Sequence, residues 1–143
     1  MEDKTYDLSR FSQAHRRSYQ TALTEIKNGH KYSHWMWYIF PQLTGLGKSS
    51  TARYYGLKDL EEAKAFLEDP YLGGNLKEIS RALLTLDTSD PYAVFGGIDG
   101  KKLQSCMTLF AHIPGADPVF SKVLNKYYHG HEDRQTCRML ARS

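Results

Sequence analysis

Apolar residues recur every three or four positions along most of the chain, a spacing typical of helices that bury one face. The first such stripe ends at Asn28-Gly29, a pair that stops helices. Its apolar members are Phe11, Ala14, Tyr19, Ala22, Leu23 and Ile26. Further stripes start near residues 60, 72, 103 and 119. The pattern predicts an all-α protein.

Capping signals divide these stripes into separate helices. Asp59 and Glu62 have the spacing of a capping box. Asp69-Pro70 ends that helix and opens the next, and Asp99 stands where it can cap the helix that follows Gly97. We predict one compact multihelical domain over residues 1–143, with roughly six to eight helices, some of them short, and loose ends at residues 1–6 and 141–143.

The segment SHWMWYIFPQL, residues 33–43, is apolar and aromatic and is stopped by Pro41. Its length does not separate a buried strand from a short buried helix, and both interpretations stay open. Further along, Ser49 or Ser50 is placed to cap a short helix that Gly56 closes.

The composition is that of an ordinary packed domain, with 41% hydrophobic, 13% aromatic and 24% charged residues. The net charge of +3 is mild, and the lysines and arginines are spread along the chain. Nucleic-acid binding is therefore not expected, because a protein of that class concentrates its basic residues on one face.

Two cysteines, Cys106 and Cys137, are too few for a disulfide framework, and we interpret Cys106 as a core residue. The chain opens on the polar run MEDKTYDLSRF rather than on a signal peptide. No apolar run approaches the roughly 20 residues of a membrane helix. We expect a soluble, cytoplasmic protein with no membrane partner.

Residues 45–50 read GLGKSS, which matches the second half of a phosphate-binding P-loop. The complete signature needs a glycine at position 42, where the chain has Gln42, and Pro41 removes a backbone donor nearby. We therefore exclude a P-loop. Two interpretations remain: a turn whose serine caps the next helix, or a loop whose backbone approaches an anionic ligand.

The segment HWMWYIFPQLTGLGKSS, residues 34–50, resembles the signature of an uncharacterised family, domain of unknown function 1810. Residues 52–76, 94–110 and 130–140 match the same family in order. Cys106 departs from the pattern, because a small residue such as Ser is common there. The resemblance covers nearly the whole chain and implies a compact, mostly helical domain, but no established reaction.

The same signature places aromatic rings beside polar groups that need partners or solvent. Small-molecule sites are usually built this way, and a pocket results if the helix with Lys102 and Ser105 meets this segment. The candidate ligand-binding residues are Trp35, Trp37, Phe40, Gln42, Gly45, Gly47, Lys48, Ser49, Arg53, Lys102 and Ser105.

Two residues are candidates for catalysis. His34 is the candidate general acid or base, because histidine changes charge near neutral pH. Asp99 is the second candidate. Each has a structural alternative, His34 as a packed histidine and Asp99 as a helix cap.

The segment HGHED, residues 129–133, carries side chains that can bind metals. Zinc needs three or four ligands at defined spacing, and no companion pair of Cys or His is evident along the chain. His112 lies on a different helical face from Cys106, so the two do not form a nucleophile and base. We predict no metal site, and the sequence requires no cofactor.

The leading hypothesis is a small-ligand-binding domain with a pocket around residues 34–50. A nucleotide or another phosphate compound suits its turn and Lys48, and whether a reaction follows binding is left open. The alternative is a non-enzymatic protein-interaction module, which the 10 tyrosines and the lack of a complete catalytic motif favour. The identity of the ligand and the oligomeric state are left undecided.

Overall fold

The computed structural model describes residues 6–142, which form helices joined by short loops. Nine helices occur within that range, and three of them have six residues or fewer. In chain order they are α1 (Ser9–Lys27), α2 (Met36–Ile39), α3 (Ser50–Tyr55), α4 (Leu60–Glu68), α5 (Pro70–Leu84), α6 (Pro91–Phe95), α7 (Gly97–Ala111), α8 (Val119–Tyr128) and α9 (Arg134–Ala141). The all-α prediction is confirmed. Residues 1–5 and 143, which belong to the predicted loose ends, lie outside the described residues.

The capping signals set most of the observed helix boundaries. The Asp59 carboxylate accepts a hydrogen bond from the Glu62 backbone N–H at 2.8 Å, and the Glu62 carboxylate accepts from the Lys58 N–H at 2.7 Å. Ser49 caps α3 by accepting from the Ala52 N–H at 3.0 Å. Asp69 caps α5, whose first residue is Pro70. Local side-chain chemistry therefore determines where these helices begin.

One predicted boundary is wrong. Asp99 lies in the first turn of α7 rather than at its cap, because α7 already begins at Gly97. Gly96 is the only residue between α6 and α7, and its φ of 82° is a conformation that glycine adopts without strain. The Asp99 carboxylate is thereby free to form ion pairs instead of capping the backbone.

The ambiguous segment 33–43 contains the short helix α2. Trp35, Met36, Ile39 and Phe40 are buried, whereas Trp37 and Tyr38 are half-buried. Burial thus follows the helical period and not the alternation of a strand. Leu43 forms an isolated parallel bridge with Leu57 after α2, and it is the only β-bridge within residues 6–142.

The core is built around two central helices, α5 and α7. α5 packs against α1, α4 and α8, and α7 packs against α4, α6, α8 and α9. Phenylalanine rings connect these helices. The centroid of the Phe66 ring lies 5.0 Å from that of Phe11 and 5.7 Å from that of Phe110, and the Phe110 centroid lies 5.6 Å from that of Phe120. The first of these pairs is edge-to-face and the other two are tilted, and such aromatic contacts add to the stability gained from burial.

Cys106 belongs to this core, with none of its surface exposed. Burial raises the pKa of its thiol. Its burial confirms the interpretation of Cys106 as a core residue. A protonated thiol without access to solvent is also chemically inert. None of the helices in the described residues is long and apolar enough to span a bilayer.

His15 is the one histidine that is buried among residues 6–142, with 1% of its surface exposed. Its Nε2–H donates to the Tyr38 carbonyl at 2.8 Å, and its Nδ1 accepts from the Asn75 amide at 3.1 Å. Both partners suit the neutral ring. Desolvation lowers the pKa of His15 to about 4, although the Tyr38 contact opposes the shift.

We expect the folded state to lose stability as the pH falls from about 6.5 to about 4. The unfolded chain takes up a proton on His15 in this range while the folded chain does not, so protonation favours unfolding. NMR titration of the His15 ring protons checks this directly. A midpoint near pH 4 is expected, and a midpoint near 6.5 in the folded protein contradicts the buried neutral ring.

Candidate functional site

A cleft of about 790 Å³ opens between the loop after α2 and the solvent-facing side of α7. The start of α9 forms its third wall. The residues that line it are Trp37, Gln42, Leu46, Gly47, Lys48, Ser49, Ile98, Lys101, Lys102, Ser105, Asp133 and Gln135. The helix with Lys102 and Ser105 thus meets the aromatic signature segment.

The cleft brings together many of the residues singled out from the sequence. Seven of the eleven candidate ligand-binding residues line it: Trp37, Gln42, Gly47, Lys48, Ser49, Lys102 and Ser105. The other four lie elsewhere. Trp35 and Phe40 are buried in the core, and Gly45 is exposed on the loop. Arg53 is exposed on α3, where its guanidinium donates to the Lys48 carbonyl at 2.9 Å.

The two candidate catalytic residues do not line the cleft. His34 is exposed on the loop before α2, and its backbone carbonyl accepts a hydrogen bond from the Tyr38 hydroxyl at 3.5 Å. Asp99 is half-buried and lies behind the cleft, with its carboxylate 3.2 Å from Lys102 Nζ and 2.9 Å from Lys31 Nζ. Asp99 therefore contacts the cleft only through Lys102.

Glu25 on α1 holds the start of the signature segment in place. One of its carboxylate oxygens accepts from the backbone N–H groups of Tyr32 (2.8 Å) and Ser33 (2.9 Å) and from the Trp35 indole (2.9 Å). The other oxygen accepts from the Ser33 hydroxyl at 2.6 Å. Partial burial alone would raise the pKa of Glu25, but these hydrogen bonds outweigh it and lower the pKa to about 2.

The loop itself is tied to the segment after α3. The Thr44 N–H donates to the Leu57 carbonyl at 2.8 Å, and the Leu57 N–H donates to the Gln42 carbonyl at 2.9 Å. Gly47 lies so close to Ala52 that a Cβ at position 47 would stand 2.7 Å from the Ala52 methyl group. The loop thus folds tightly over the first turn of α3, and Gly47 permits this approach.

Lys102 fixes the aromatic wall of the cleft. Its ammonium group lies 3.6 Å from the centroid of the Trp37 ring, within the range of a cation–π contact. Asp99 holds the same ammonium group from the other side. The Lys102 side chain is therefore positioned by two partners before any ligand arrives.

A second lysine–aspartate pair lies at the α9 wall. Lys101 Nζ is 2.9 Å from the carboxylate of Asp133, which also accepts from the Thr136 hydroxyl and N–H. Burial alone would raise the pKa of Asp133, but hydrogen bonds from Thr136 and Lys101 outweigh it, and the pKa is lowered. Lys48 differs: within residues 6–142 its ammonium group makes no hydrogen bond or ion pair.

Five residues that line the cleft were not among the candidate ligand-binding residues predicted from the sequence: Leu46, Ile98, Lys101, Asp133 and Gln135. Two of them carry a local signal, because Ile98 and Lys101 precede Ser105 at spacings that share one helical face. Asp133 and Gln135 have no such spacing to another residue of the cleft. They reach the cleft through the packing of α9 on α7, a contact between segments far apart in sequence.

Comparison with known families now identifies the chain. A family model described as "Protein of unknown function (DUF1810)" matches residues 5–140. The chain belongs to the DUF1810 family. The resemblance seen in the signature segment is thereby confirmed over nearly the whole sequence.

The DUF1810 fold is also seen in a solved structure. The conserved hypothetical protein Rv1873 from Mycobacterium tuberculosis is 43% identical, with 95% of this chain and 97% of that chain covered and a TM-score of 0.93. A search of curated proteins gave no match. These comparisons support the helical fold of this DUF1810 protein.

Proposed function

We propose that the cleft binds a small anionic molecule that carries phosphate, such as a nucleotide or a sugar phosphate. The observation that carries the proposal is the convergence of an aromatic wall with three lysines, Lys48, Lys101 and Lys102, in one cleft. Asp133 is the only carboxylate among the lining residues, so the lining charge is positive.

The dimensions support a ligand of this size. The volume of about 790 Å³ lies within the range of roughly 300–1,000 Å³ that is usual for small-molecule sites. Trp37, Leu46 and Ile98 supply apolar surface for a ring or an alkyl part of the ligand. Ile98 is 76% exposed, and covering it contributes to binding through the hydrophobic effect.

The lysines have different parts in the proposal. Asp133 pairs with Lys101, whereas Asp99 is shared between Lys102 and Lys31, so the ammonium groups of Lys101 and Lys102 are each already held by a carboxylate. Lys48 has no such partner among the described residues and is the cation that meets the anionic group. The Ser49 hydroxyl and the Gln42 amide complete the hydrogen bonding, whereas the buried Ser105 hydroxyl already donates to the Lys101 carbonyl.

The proposal concerns binding and assigns no reaction. The His34 ring lies outside the cleft lining, and Asp99 acts through Lys102 as a positioning residue. A base that acts on a bound ligand must come within hydrogen-bond reach of the proton it removes. Substitution of His34 is therefore expected to leave ligand affinity unchanged.

Thermal unfolding with ATP, NAD, ADP-ribose, sugar phosphates and flavins tests the proposal, with adenosine as the control without phosphate. A ligand at 100 times its dissociation constant stabilises the fold by about 2.7 kcal/mol, or roughly 5–10 °C at this chain length. The variant Lys48→Met should weaken the binding of an active compound about tenfold, the loss of about 1.4 kcal/mol expected for one charged contact.

Lys122→Met on α8 is the matched control, because it removes the same charge from an exposed residue that does not line the cleft. Equal affinities for the Lys48 and Lys122 variants would contradict the assignment of Lys48. If no phosphate compound raises the unfolding temperature, the protein-interaction module becomes the better hypothesis. The exposed tyrosines Tyr32, Tyr54, Tyr71 and Tyr92 are then the first surface residues to vary.

A further inference from the structure

Three side chains of different chemistry converge at a point outside the cleft lining. His112 directly follows α7, Glu132 lies in the loop before α9, and Cys137 lies in α9. One imidazole nitrogen, one carboxylate oxygen and the thiol sulfur all lie within 4.8 Å of one another. The group was not apparent from the sequence, because His112 and Cys137 are 25 positions apart along the chain.

The spacing of these atoms is close to that of zinc ligands. A tetrahedral ion with bonds of about 2.3 Å to sulfur and 2.0–2.2 Å to nitrogen and oxygen holds its ligand atoms about 3.4–3.6 Å apart. Cys137 Sγ lies 3.9 Å from His112 Nε2 and 3.7 Å from the nearer carboxylate oxygen of Glu132. His112 Nε2 and the other oxygen of Glu132 are 2.7 Å apart. That contact has to lengthen by only about 0.7 Å to admit an ion.

The arrangement does not suit a nucleophilic triad. In such a triad the acid and the nucleophile bind the two different nitrogens of the histidine ring. Here Glu132 and Cys137 both approach the same nitrogen, Nε2 of His112. A single hydrogen on Nε2 cannot serve both neighbours well, whereas a cation at the common centre contacts all three groups.

We propose that His112, Glu132 and Cys137 bind a divalent transition-metal ion of the zinc class. A thiolate with an imidazole and a carboxylate suits such ions, whereas magnesium and calcium take all-oxygen sites. Three protein ligands leave a fourth position for water. On binding, Cys137 releases its thiol proton to solvent, and the neutral His112 ring carries its hydrogen on Nδ1 so that Nε2 is free to bind the metal. Two bonds to the metal then replace the contact between His112 and Glu132.

The surroundings allow an ion to reach this site. The side chains of His112 and Glu132 are 39% and 41% exposed, and Cys137 is half-buried. An ion held there links the end of α7 to α9, two helices that already pack together. None of the three residues lines the cleft, so the proposal stands independently of the proposed ligand.

Titration of the reduced full-length protein with Co²⁺ tests the site, since a cobalt–thiolate bond gives a charge-transfer band in the near ultraviolet. We expect this band to saturate at one ion per chain and to disappear when Zn²⁺ is added. Cys106 has no exposed surface, so Cys137 is the thiol within residues 6–142 that can produce the signal.

Substitutions show which side chains bind the Co²⁺ ion that gives the charge-transfer band. Cys137→Ser should abolish the charge-transfer band, and His112→Gln or Glu132→Gln should weaken Co²⁺ binding at least tenfold. His129→Asn is the matched control, because it removes an exposed imidazole three positions before Glu132, and asparagine tolerates the left-handed backbone there, where φ is 54°. The control should bind Co²⁺ as the parent protein does.

Two results would overturn the proposal. One is the absence of a charge-transfer band at millimolar Co²⁺ in reduced protein that is folded by circular dichroism. The other is a band that survives in a folded Cys137→Ser variant, or one that is lost equally in His129→Asn.

Discussion

Replacement of Gly73 by alanine should destabilise the fold by about 3 kcal/mol, whereas the same change at Gly74 should stabilise it by about 0.5–1 kcal/mol. The two glycines are neighbours in α5, but an added Cβ meets other atoms at position 73 and open space at position 74. A Cβ at position 73 would lie 1.9 Å from the carbonyl oxygen of Leu67 and 2.7 Å from its carbonyl carbon. At position 74 no atom lies within 4 Å of an added Cβ.

The clash at Gly73 cannot be relieved by a side-chain rotation, because its partners are backbone atoms. α5 starts two residues after α4 ends, so the first turn of α5 passes directly over Leu67. An alanine at 73 has to push these helices apart and disturb the caps made by Asp69. Gly74 is exposed, and alanine there only reduces the conformational freedom of the unfolded chain.

Urea denaturation of the parent protein and the two variants measures this difference. We expect the midpoint to fall for Gly73→Ala and to rise for Gly74→Ala, with slopes that stay the same. Because the two substitutions are chemically identical, the pair separates the steric clash from helix propensity. A stabilised Gly73→Ala variant would contradict the packing of α5 on the end of α4.

The second large effect is expected at Glu25, where Glu25→Gln should cost about 2 kcal/mol at pH 7. The carboxylate accepts four hydrogen bonds that hold Tyr32, Ser33 and Trp35. Glutamine replaces one acceptor oxygen by an NH2 group and removes the negative charge, and hydrogen bonds to a charged group are the stronger ones. The value allows for solvent screening, because Glu25 is only half-buried.

The loss at Glu25 should depend on pH. The pKa of Glu25 is about 2 in the folded protein against an ordinary value of 4.5, so its contribution is complete above pH 4.5. That contribution declines as the pH falls towards about 2, and the gap between the parent protein and Glu25→Gln should narrow over the same range.

Denaturant midpoints at pH 7 and pH 3.5 provide the measurement for Glu25. Glu68→Gln on α4 is the matched control, because its carboxylate is exposed and makes no hydrogen bond or ion pair with any other described residue. The control should change the midpoint little at either pH. An equal stability gap at both pH values for Glu25→Gln would contradict a charged carboxylate at the centre of this network.

Local sequence patterns predicted the helices well because the interactions that begin and end these helices are local. Asp59, Asp69 and Ser49 cap helices through bonds to residues two or three positions away, and such spacings can be read along the chain. Asp99 was misassigned because a single residue, Gly96, turns the chain from α6 into α7. A boundary set by one backbone conformation leaves little trace in the residue pattern.

The candidate site was predictable only in part. Trp35 and Trp37 would share a face in a strand, but in α2 and its cap they lie about 200° apart around the axis. One therefore enters the core and the other the cleft. The α9 wall and the group formed by His112, Glu132 and Cys137 depend on the docking of distant helices, which no local spacing encodes.

The two tryptophans also provide the most direct measurement of the proposed ligand site. The indole N–H groups of Trp35 and Trp37 give separate NMR signals, which a Trp37→Phe variant assigns. A phosphate compound that binds in the cleft should shift the Trp37 signal and leave that of Trp35, which is buried and bonded to Glu25, in place. Binding detected by thermal unfolding with the Trp37 signal unmoved would contradict the account.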